Sequence, residues 1–401
     1  MLTTAAARQA ISLAMPESAT EIASVGDACG RVLRQAVSAE RDQPPFDRVM
    51  MDGIALRYAD LARGVRTLPI QAMQAAGDAA LQLHPGHCIE IMTGASLPEE
   101  ADCIVPVERL TVAGGSATVD AGFDAQAGRF IHRRASDHAA GAELLTPGRR
   151  ITPLDVAVLV SCGLTEVEVS ARPVIRVIST GNELVPAGAP IEPHQVRLSN
   201  GPAIQSMLTE HGYDDCHHEH LLDDGDELCR RIGAHLDEAD VVILSGGVSM
   251  GKADLVPEVL AELGVEVVFH KVSQRPGKPL WFGVGADHTV VFALPGNPVS
   301  ALVCCRHYVI PALDLAATAA PRPPEFATLA SDVSFTPDLT CFLPVSLISN
   351  AAGQQLAMPV HTNTSGDFTA LSASHGYVEL AQETSRFPAG TPVFMHRWRD
   401  R

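Results

Sequence analysis

The chain has 401 residues, and its hydrophobic share of 46% is enough to build the cores of two or more domains. A net charge of −18 argues against general binding to nucleic acid, so an anionic ligand would require a local positive site. Nine cysteines without a paired metal spacing predict reduced thiols, and no apolar run approaches the length of a transmembrane helix. The first residues also lack the pattern of a signal sequence. We therefore expect a cytoplasmic protein that is not embedded in a membrane.

The first part of the chain changes from helical to strand patterns. Residues 1–20 predict a helix, and residues 21–43 predict a short helix and a strand. Between about 46 and 140, short strands are broken by Gly, Pro and Asp with little helical periodicity. This range is therefore predicted to be a β-rich inserted module. A helix is predicted over residues 151–162.

Three short apolar runs, at residues 174–179, 241–244 and 290–294, each lead into a Gly-rich or acidic turn. Helical patterns separate them, and Asn200 and Asn297 are plausible caps of two of these helices. Short β-branched runs that alternate with helices predict parallel strands in a three-layer α/β domain. Because ligands of such sheets bind beyond the carboxyl ends of the strands, all three turns are expected at one binding edge.

The Ser245-Gly246-Gly247 turn is suited to an anion. Glycines let the backbone approach a ligand, and the next helix offers free N–H groups. The turn lacks the Gly-Lys-Ser/Thr ending of a P-loop and does not match the dinucleotide fingerprint. The alternative is a tight connection between a strand and a helix.

Charged side chains accompany this turn. Carboxylates at the sheet-edge turns suit magnesium, and a cluster of cations suits phosphate or another oxyanion. The carboxylates are Glu183, Asp223 and Asp254, and the cations are Lys271, Arg275 and Lys278. The alternatives are a solvated loop at Asp223 and a helix cap at Asp254.

Two further stretches complete the sequence pattern. His217, His218 and His220 alternate in a predicted edge strand, which favours solvated or half-buried side chains over a metal site. Residues 313–324 predict a linker, and the short strands from residue 325 onwards predict a small β-barrel-like domain.

Several motifs occur together in a characteristic order. In the α/β region they are Thr180-Gly181-Asn182-Glu183-Leu184, Ser245-Gly246-Gly247-Val248-Ser249-Met250-Gly251, Pro276-Gly277-Lys278-Pro279 and Leu294-Pro295-Gly296-Asn297-Pro298. Nearer the N-terminus they are Pro44-Pro45-Phe46-Asp47, Met51-Asp52-Gly53 and Ile91-Met92-Thr93-Gly94-Ala95. This combination resembles the molybdenum insertases, the family of bacterial MoeA and the gephyrin E domain. The resemblance covers nearly the whole chain.

The resemblance implies an elongated protomer with four domains that forms a homodimer. The implied domains are 21–43 with 141–170 (I), 44–140 (II), 1–20 with 171–318 (III) and 325–401 (IV). The implied cleft lies between domain III of one protomer and domain II of the other. The implied reaction transfers molybdate to adenylylated molybdopterin, giving molybdenum cofactor and AMP, with magnesium or a similar divalent ion.

The resemblance also gives the site residues their roles. Asp223 and Asp254 would hold the metal, and Glu183 would hold metal, position water or act as a base. Lys271, Arg275 and Lys278 would bind molybdate and phosphate oxygens. The residues that would cradle the pterin or its phosphate are Ser245, Gly246, Gly247 and Ser249. The residues carried over from motifs elsewhere are Asp52, Thr93 and Asp137 in domain II, Pro295 and Pro298 at the floor of the site, and Ser365 in domain IV.

The chain departs from the family pattern at three places. The family usually has Asp where Asn182 stands and Ser where Val49 stands. Its domain IV usually carries two arginines in the segment that corresponds to residues 339–344, which has none here. We therefore expect domain III alone to hold molybdate, more weakly than in relatives, and arginines at Leu339 and Pro344 to tighten binding.

Three functions are compatible with these patterns. The first is a molybdenum insertase, and the second is a paralogue that binds molybdopterin or finished cofactor for delivery. The third is an adenylyltransferase like the single-domain pterin-activating proteins, which the additional domains disfavour. Expected partners are a second copy of the chain, a molybdopterin-adenylating protein and downstream molybdoenzymes or their chaperones.

Overall fold

The computed structural model describes residues 1–247, 255–361, 364 and 366–399. The chain divides into two compact units. The larger unit comprises Met1–Gln35, Pro147–Pro153 and Glu166–Arg401, and the smaller unit comprises Ala36–Thr146 and Leu154–Thr165.

The larger unit is built around a six-stranded sheet. Its strands in chain order are β1 (Ile175–Thr180), β2 (Cys216–Leu221), β3 (Val241–Ser245), β4 (Glu266–His270), β5 (Trp281–Val284) and β6 (Val290–Leu294). In space their order is β2-β1-β3-β6-β5-β4. Strands β1, β3 and β6 are parallel, as predicted, and the edge strand β2 is parallel to them. The sequence patterns did not indicate β5, which is antiparallel to β6, or β4, which is antiparallel to β5 and therefore runs in the direction of the parallel strands.

The register of this sheet brings the predicted turns together. Ser179 pairs with Ser245, and Ser245 pairs with Leu294, so β1, β3 and β6 end side by side. Trp281 at the start of β5 pairs with Ala293 near the end of β6. The basic loop that precedes β5 therefore lies at the same edge. This confirms that the three turns share one edge of the sheet.

Helices cover both faces of the sheet, which confirms the three-layer architecture. Val177 and Ile243 belong to one buried core, whereas their neighbours Ile178 and Val242 belong to the other. Successive strand residues point to opposite faces, so these are two separate helical layers. The helices of the first layer are Thr4–Ala14, Asn200–Glu210, Pro298–Cys304 and Ile310–Ala316, and those of the second are Gly225–Glu238 and Val256–Glu262.

One helical segment of the first layer is unusually long and apolar. A π-helical turn, Cys305–Val309, joins two α-helices into the segment Pro298–Ala316. By length and composition alone this segment could cross a membrane, which we did not expect from the sequence. However, 72% of its apolar window is buried inside the protein, and core helices of soluble proteins pass the same test. We interpret it as a core helix.

The C-terminal strands form a closed sheet. Its strands are Glu325–Leu329, Thr340–Ser349, Gln355–Pro359, Gly376–Leu380 and Pro392–Arg397, with a short helix Phe368–Leu371 and a two-stranded pair Val333–Ser334 and Arg386–Phe387. Thr340–Ser349 pairs with both Gln355–Pro359 and Gly376–Leu380, which closes the ring of strands. This confirms the predicted β-barrel-like domain. A short strand of the α/β region, Gln274–Arg275, adds to Thr340–Ser349.

The prediction of a short helix within residues 21–43 is wrong. The structure has a strand, Thr20–Ser24, that pairs with Glu166–Ser170, and a second short strand, Val37–Ser38. Between them the backbone N–H of Leu33 donates to the carbonyl of Arg149. Pairing with distant residues therefore overrides the local helical preference. A further short pair in the larger unit joins Leu184–Val185 and Val196–Arg197.

The smaller unit is rich in strands, as predicted for the inserted module. Its six-stranded sheet contains Gly53–Leu56, Thr67–Gln74, Cys88–Ile91, Cys103–Pro106, Leu110–Ala113 and Ser116–Val119. Two short pairs are Arg48–Val49 with Ile131–His132 and Val37–Ser38 with Glu143–Leu145, and the helices are Tyr58–Ala62, Pro153–Ser161 and the 3-10 turn Val107–Arg109. Ile54 and Ala55 belong to different buried cores, so this sheet is covered on both faces.

Candidate active site at the strand ends

Three turns meet at the carboxyl edge of the α/β sheet. Gly246 has a φ of +105°, and a Cβ there would lie 2.5 Å from the carbonyl oxygen of Thr180. A Cβ on Gly247 would lie 2.9 Å from Oγ1 of Thr180, and one on Gly296 would lie 3.6 Å from Cα of Gly246. The close approach of these backbones therefore requires glycine at Gly246 and Gly247.

Asn200 joins two of the turns. Its Nδ2 donates to Oγ of Ser245 over 2.9 Å and to the carbonyl of Gly296 over 2.8 Å. We expected Asn200 to cap a helix, but Ser199 occupies the cap position and Asn200 begins the helix. The prediction failed because the two hydrogen-bond partners are far away in sequence. The local signal, an Asn ahead of a Gly-Pro helix start, did not reveal them.

Two polar atoms at this point are left unsatisfied. Oγ1 of Thr180 and Oδ1 of Asn200 are buried and have no hydrogen-bond partner among the described residues. Buried polar groups are normally hydrogen-bonded, so each such exception requires an explanation. Oδ1 of Asn200 requires a hydrogen-bond donor, and the Thr180 hydroxyl can pair with an acceptor, so a bound ligand with both kinds of group, as a pterin has, would satisfy both atoms.

Asn200→Asp is expected to destabilise the protein. The substitution keeps the side-chain shape but replaces the donor group by a carboxylate oxygen that faces the carbonyl oxygen of Gly296, which can only accept, and the hydroxyl of Ser245, which would have to turn its proton towards it. The loss is expected to be about 1–3 kcal/mol in the free energy of unfolding. Urea denaturation measures it, with Ser206→Ala on the exposed face of the same helix as the control. Equal stability of the two variants would contradict the bridging role.

The acidic turn after β1 is fixed to the end of β2. The backbone N–H of Asn182 donates to Asp223 Oδ2 over 3.3 Å, and the backbone N–H of Asp223 donates to Asn182 Oδ1 over 3.1 Å. The side chain of Glu183 folds back over Gly181, where a Cβ would lie 2.7 Å from Glu183 Oε2. Both carboxylates are exposed at neighbouring strand ends. They are therefore available as oxygen ligands.

Asn182 stands where the family usually has Asp, and it keeps one hydrogen bond that an Asp would also make. Oδ1 of Asn182 accepts the backbone N–H of Asp223, and a carboxylate oxygen at this position would accept it as well. The amide therefore removes a negative charge from the turn without removing this hydrogen bond.

The neighbouring histidines hold the same edge of the sheet. Nε2 of His218 lies 3.0 Å from Oγ of Ser179, and Nε2 of His220 lies 2.9 Å from the carbonyl oxygen of Gly181. Both rings are half-buried, and His217 is exposed. This confirms our interpretation of these histidines as solvated or half-buried side chains of an edge strand.

The basic loop before β5 is held in a defined shape. The backbone N–H of Lys271 donates to Leu280, and that of Val272 donates to the carbonyl of Lys278. Gly277 has a φ of +92°, and a Cβ there would overlap the side chain of Gln274. Lys278 is exposed and Lys271 half-buried, so the cationic side chains project from a constrained backbone.

The strand that carries Arg275 pairs with the start of the C-terminal sheet. Arg275 is exposed and pairs with Cys341. Burial raises the pKa of the Cys341 thiol to about 12, although the nearby Arg275 guanidinium opposes this shift. The segment 339–344 therefore begins beside the basic loop. Its Leu339 is half-buried, whereas Pro344 is buried within the sheet.

In the smaller unit, two of the predicted residues are joined. Asp52 Oδ1 accepts the backbone N–H of Thr93 over 2.6 Å and the Thr93 hydroxyl over 2.7 Å. These hydrogen bonds, the backbone one foremost, hold the pKa of Asp52 below its usual value. Asp137 instead pairs with Nε2 of His132 over 2.9 Å, and Nδ1 of that ring lies 3.1 Å from Arg48. Sequence reasoning did not single out His132 or Arg48.

Comparison with known proteins places the chain in a family. Residues 2–163 match the MoeA N-terminal region (domain I and II), residues 176–315 match a probable molybdopterin binding domain, and residues 327–398 match the MoeA C-terminal region (domain IV). A molybdopterin molybdenumtransferase of Synechocystis sp. is 38% identical over 99% of this chain and 100% of its own length. The chain belongs to the molybdopterin molybdenumtransferases, the MoeA family.

Further relatives agree with this assignment. A molybdopterin molybdenumtransferase of Bacillus subtilis is 31% identical over 93% of this chain and 89% of its own length. A molybdopterin biosynthesis MoeA protein from Pyrococcus horikosii has a solved structure that covers 100% of both chains with a TM-score of 0.82 and 28% identity. As a MoeA-family member, the chain is a transferase of molybdenum cofactor biosynthesis. Its matches to the N-terminal and C-terminal MoeA regions argue against the single-domain adenylyltransferases.

The remaining predicted residues of the candidate site are placed as follows. Pro295 is buried at the end of β6, and Pro298 is the first residue of the next helix, where proline is favoured. Ser249, Asp254 and Ser365 lie outside the described residues.

Proposed function

We propose that this enzyme transfers molybdate to adenylylated molybdopterin, which gives molybdenum cofactor and AMP. The observation that carries the proposal is the common sheet edge, where a glycine turn, two carboxylates and a basic loop lie together. Each group suits one part of the substrates. The turn suits the pterin or its phosphate, the carboxylates suit a metal, and the cations suit oxyanions.

Magnesium fits the acidic side of this edge. Glu183 and Asp223 are exposed carboxylates at neighbouring strand ends, and magnesium prefers one or two carboxylates together with water and phosphate oxygens. When bound, it would neutralise the charge that develops as the phosphoanhydride breaks. Asp254 would complete this set. Glu183 would also position a water or accept a proton, because its carboxylate is exposed at the strand end.

The cations would orient molybdate and the phosphates. Arg275 and Lys278 are exposed on the constrained loop, and Lys271 is half-buried beside them. A guanidinium binds an oxyanion through two parallel hydrogen bonds, and an ammonium binds it as a point charge. Together they would supply the local positive site that an acidic protein requires for anionic substrates.

Genetic complementation tests the proposal against the delivery paralogue. Expression of this chain in cells that lack their own insertase is expected to restore molybdoenzyme activity. A matched chain with Asp52→Ala is expected to fail. No restoration by the wild-type chain, despite normal expression and folding, would favour the paralogue that only binds molybdopterin or cofactor.

Leu339→Arg is expected to tighten molybdate binding. Leu339 stands next to Thr340, which pairs with the basic-loop strand, so a guanidinium there would reach the loop. A hydrogen bond to a charged group contributes about 1.5–3 kcal/mol, which corresponds to roughly tenfold or more in affinity. Molybdate titration measures it, with Leu347→Arg further along the same strand as control. Equal affinities of both variants would contradict the expected position of residue 339.

An arginine at position 344, which we expected from the sequence to tighten molybdate binding, does not suit this structure. Pro344 is buried in the C-terminal sheet and pairs with Tyr377. An arginine there would bury an unpaired charge. Pro344→Arg is therefore not expected to tighten molybdate.

A homodimer and a cytoplasmic location complete the proposal. The nine cysteines are all free, which suits a reducing compartment. The four domain ranges inferred from the sequence stay predictions, as do the adenylating protein and the molybdoenzymes as partners. If dimers share their sites, mixing Asp52→Ala with Asp223→Ala chains is expected to regain activity. Full activity in a monomer would contradict the dimer.

A further inference from the structure

Two histidines and a carboxylate cluster where the segment Pro298–Ala316 meets the C-terminal sheet. One ligand atom from each of His307, Glu379 and His396 lies within 4.8 Å of the others. His307 belongs to the π-helical turn Cys305–Val309. Such turns within α-helices are frequent at functional sites.

The C-terminal sheet presents its two ligands on one face. Tyr377 pairs directly with His396, and Glu379 follows Tyr377 by two residues along the strand. Residues that pair, and residues two apart, point to the same face of a sheet. Nε2 of His396 already lies 3.3 Å from Oε2 of Glu379. The backbone therefore needs no rearrangement to bring these side chains together.

One nitrogen of the cluster has no partner. His307 is only 2% exposed, and its Nδ1 lies 3.2 Å from the hydroxyl of Tyr377. Its Nε2 is buried and has no hydrogen-bond partner among the described residues. When Nδ1–H donates to the hydroxyl of Tyr377, the lone pair of Nε2 is available to a metal ion.

We propose that His307, Glu379 and His396 form a binding site for a divalent metal ion of the zinc class. Neutral imidazole and carboxylate are ligands that zinc accepts at about 2.0–2.2 Å. Ligand atoms around one tetrahedral zinc then lie roughly 3.4 Å apart, so the side chains close by about an ångström on binding. Tyr377 orients His307 through its other nitrogen, as partners of metal-bound histidines do.

One of the three proposed ligands borders a cavity. His396 lines a cavity of about 600 Å³ that is also lined by Arg306, Arg397 and Phe394. Arg306 and Arg8 add positive charge near the cluster. This charge opposes a metal cation, and an anion such as chloride or hydroxide at the fourth position would offset it. The metal would link the helical segment to the C-terminal sheet and stabilise the folded chain by binding it selectively.

Zinc titration of the full-length chain tests the site. The protein is first stripped with a chelator, and Cys29→Ser serves as the background because Cys29 is an exposed thiol. Calorimetry with zinc chloride measures affinity and stoichiometry, and the absorption spectrum of added cobalt reports its coordination geometry. The variants are His396→Gln, Glu379→Gln and His307→Gln, with His217→Gln as the control for an exposed histidine.

We expect one zinc ion per chain, a tetrahedral cobalt spectrum, and at least tenfold weaker zinc binding in His396→Gln and Glu379→Gln. His217→Gln is expected to bind as the background does. His307 is fully buried, so zinc binding by His307→Gln is compared with the background only if this variant folds. If it does not fold, the half-buried His396 and its variant His396→Gln decide whether the site exists. Equal zinc affinity in the background and His396→Gln, or no zinc binding by the background, would overturn the site.

Discussion

Gly246→Ala is expected to reduce turnover by roughly a hundredfold, because displacements of about 1 Å in a positioned site cost this much. The added Cβ would lie 2.5 Å from the carbonyl oxygen of Thr180, in a backbone conformation with a φ of +105°. The turn must therefore move away from β1, and its contacts with the substrate move with it. Thermal or urea unfolding and the release of AMP are measured on the same preparation.

Gly188→Ala is the matched control for Gly246→Ala. Gly188 also has a positive φ, of +86°, but a Cβ there would meet no atom of the described residues within 4 Å. Gly188→Ala introduces the same backbone strain as Gly246→Ala, of about 1–2 kcal/mol, without a steric clash of the new Cβ. We expect it to lose some stability and keep its turnover. Equal losses of turnover in both variants would show that strain, rather than the close approach at the glycine turn, limits activity.

Asp223→Asn is expected to lower turnover by roughly 10²–10³-fold, the range found when one charge-stabilising group is removed from an active site. The amide oxygen can still accept the backbone N–H of Asn182, so the turn keeps its shape. The substitution removes one negative charge that would attract magnesium. The activity is therefore expected to require more magnesium, and a titration of turnover against magnesium concentration measures this shift.

Asp226→Asn is the control for Asp223→Asn. Asp226 is exposed in the first turn of the helix Gly225–Glu238. Asp226→Asn therefore removes one negative charge close to Asp223, as Asp223→Asn does. Its effect on the helix is expected to be about 0.3–1 kcal/mol. An unchanged magnesium requirement in Asp223→Asn, or the same change in both variants, would remove Asp223 from the metal site.

The sequence predicted the parallel core of the α/β sheet because its strands are buried on both faces. Such strands are nearly continuous apolar runs, and Val241–Ser245 and Val290–Leu294 are fully buried. The strands Glu266–His270 and Trp281–Val284, which pair antiparallel with each other, were missed. Local composition does not state the direction in which a strand enters a sheet, and that direction is set by the loop between the two strands.

The candidate site was predictable where its signal is local. Gly246 is needed for a backbone conformation, and Asp223 stands at a strand end, so both are visible in short motifs. Asn200 was misread because its partners, Ser245 and Gly296, are distant in sequence. The pairing of Asp137 with His132 was missed because neither residue stands in a pattern that predicts contact.

The most direct test of the account is a single reaction with purified components. The full-length chain is mixed with adenylylated molybdopterin, molybdate and magnesium, and AMP and finished cofactor are measured together. We predict that AMP and cofactor form in equal amounts, that both depend on molybdate, and that Asp223→Asn slows both. Tight binding of adenylylated molybdopterin without release of AMP at saturating molybdate and magnesium would contradict the proposed transfer reaction.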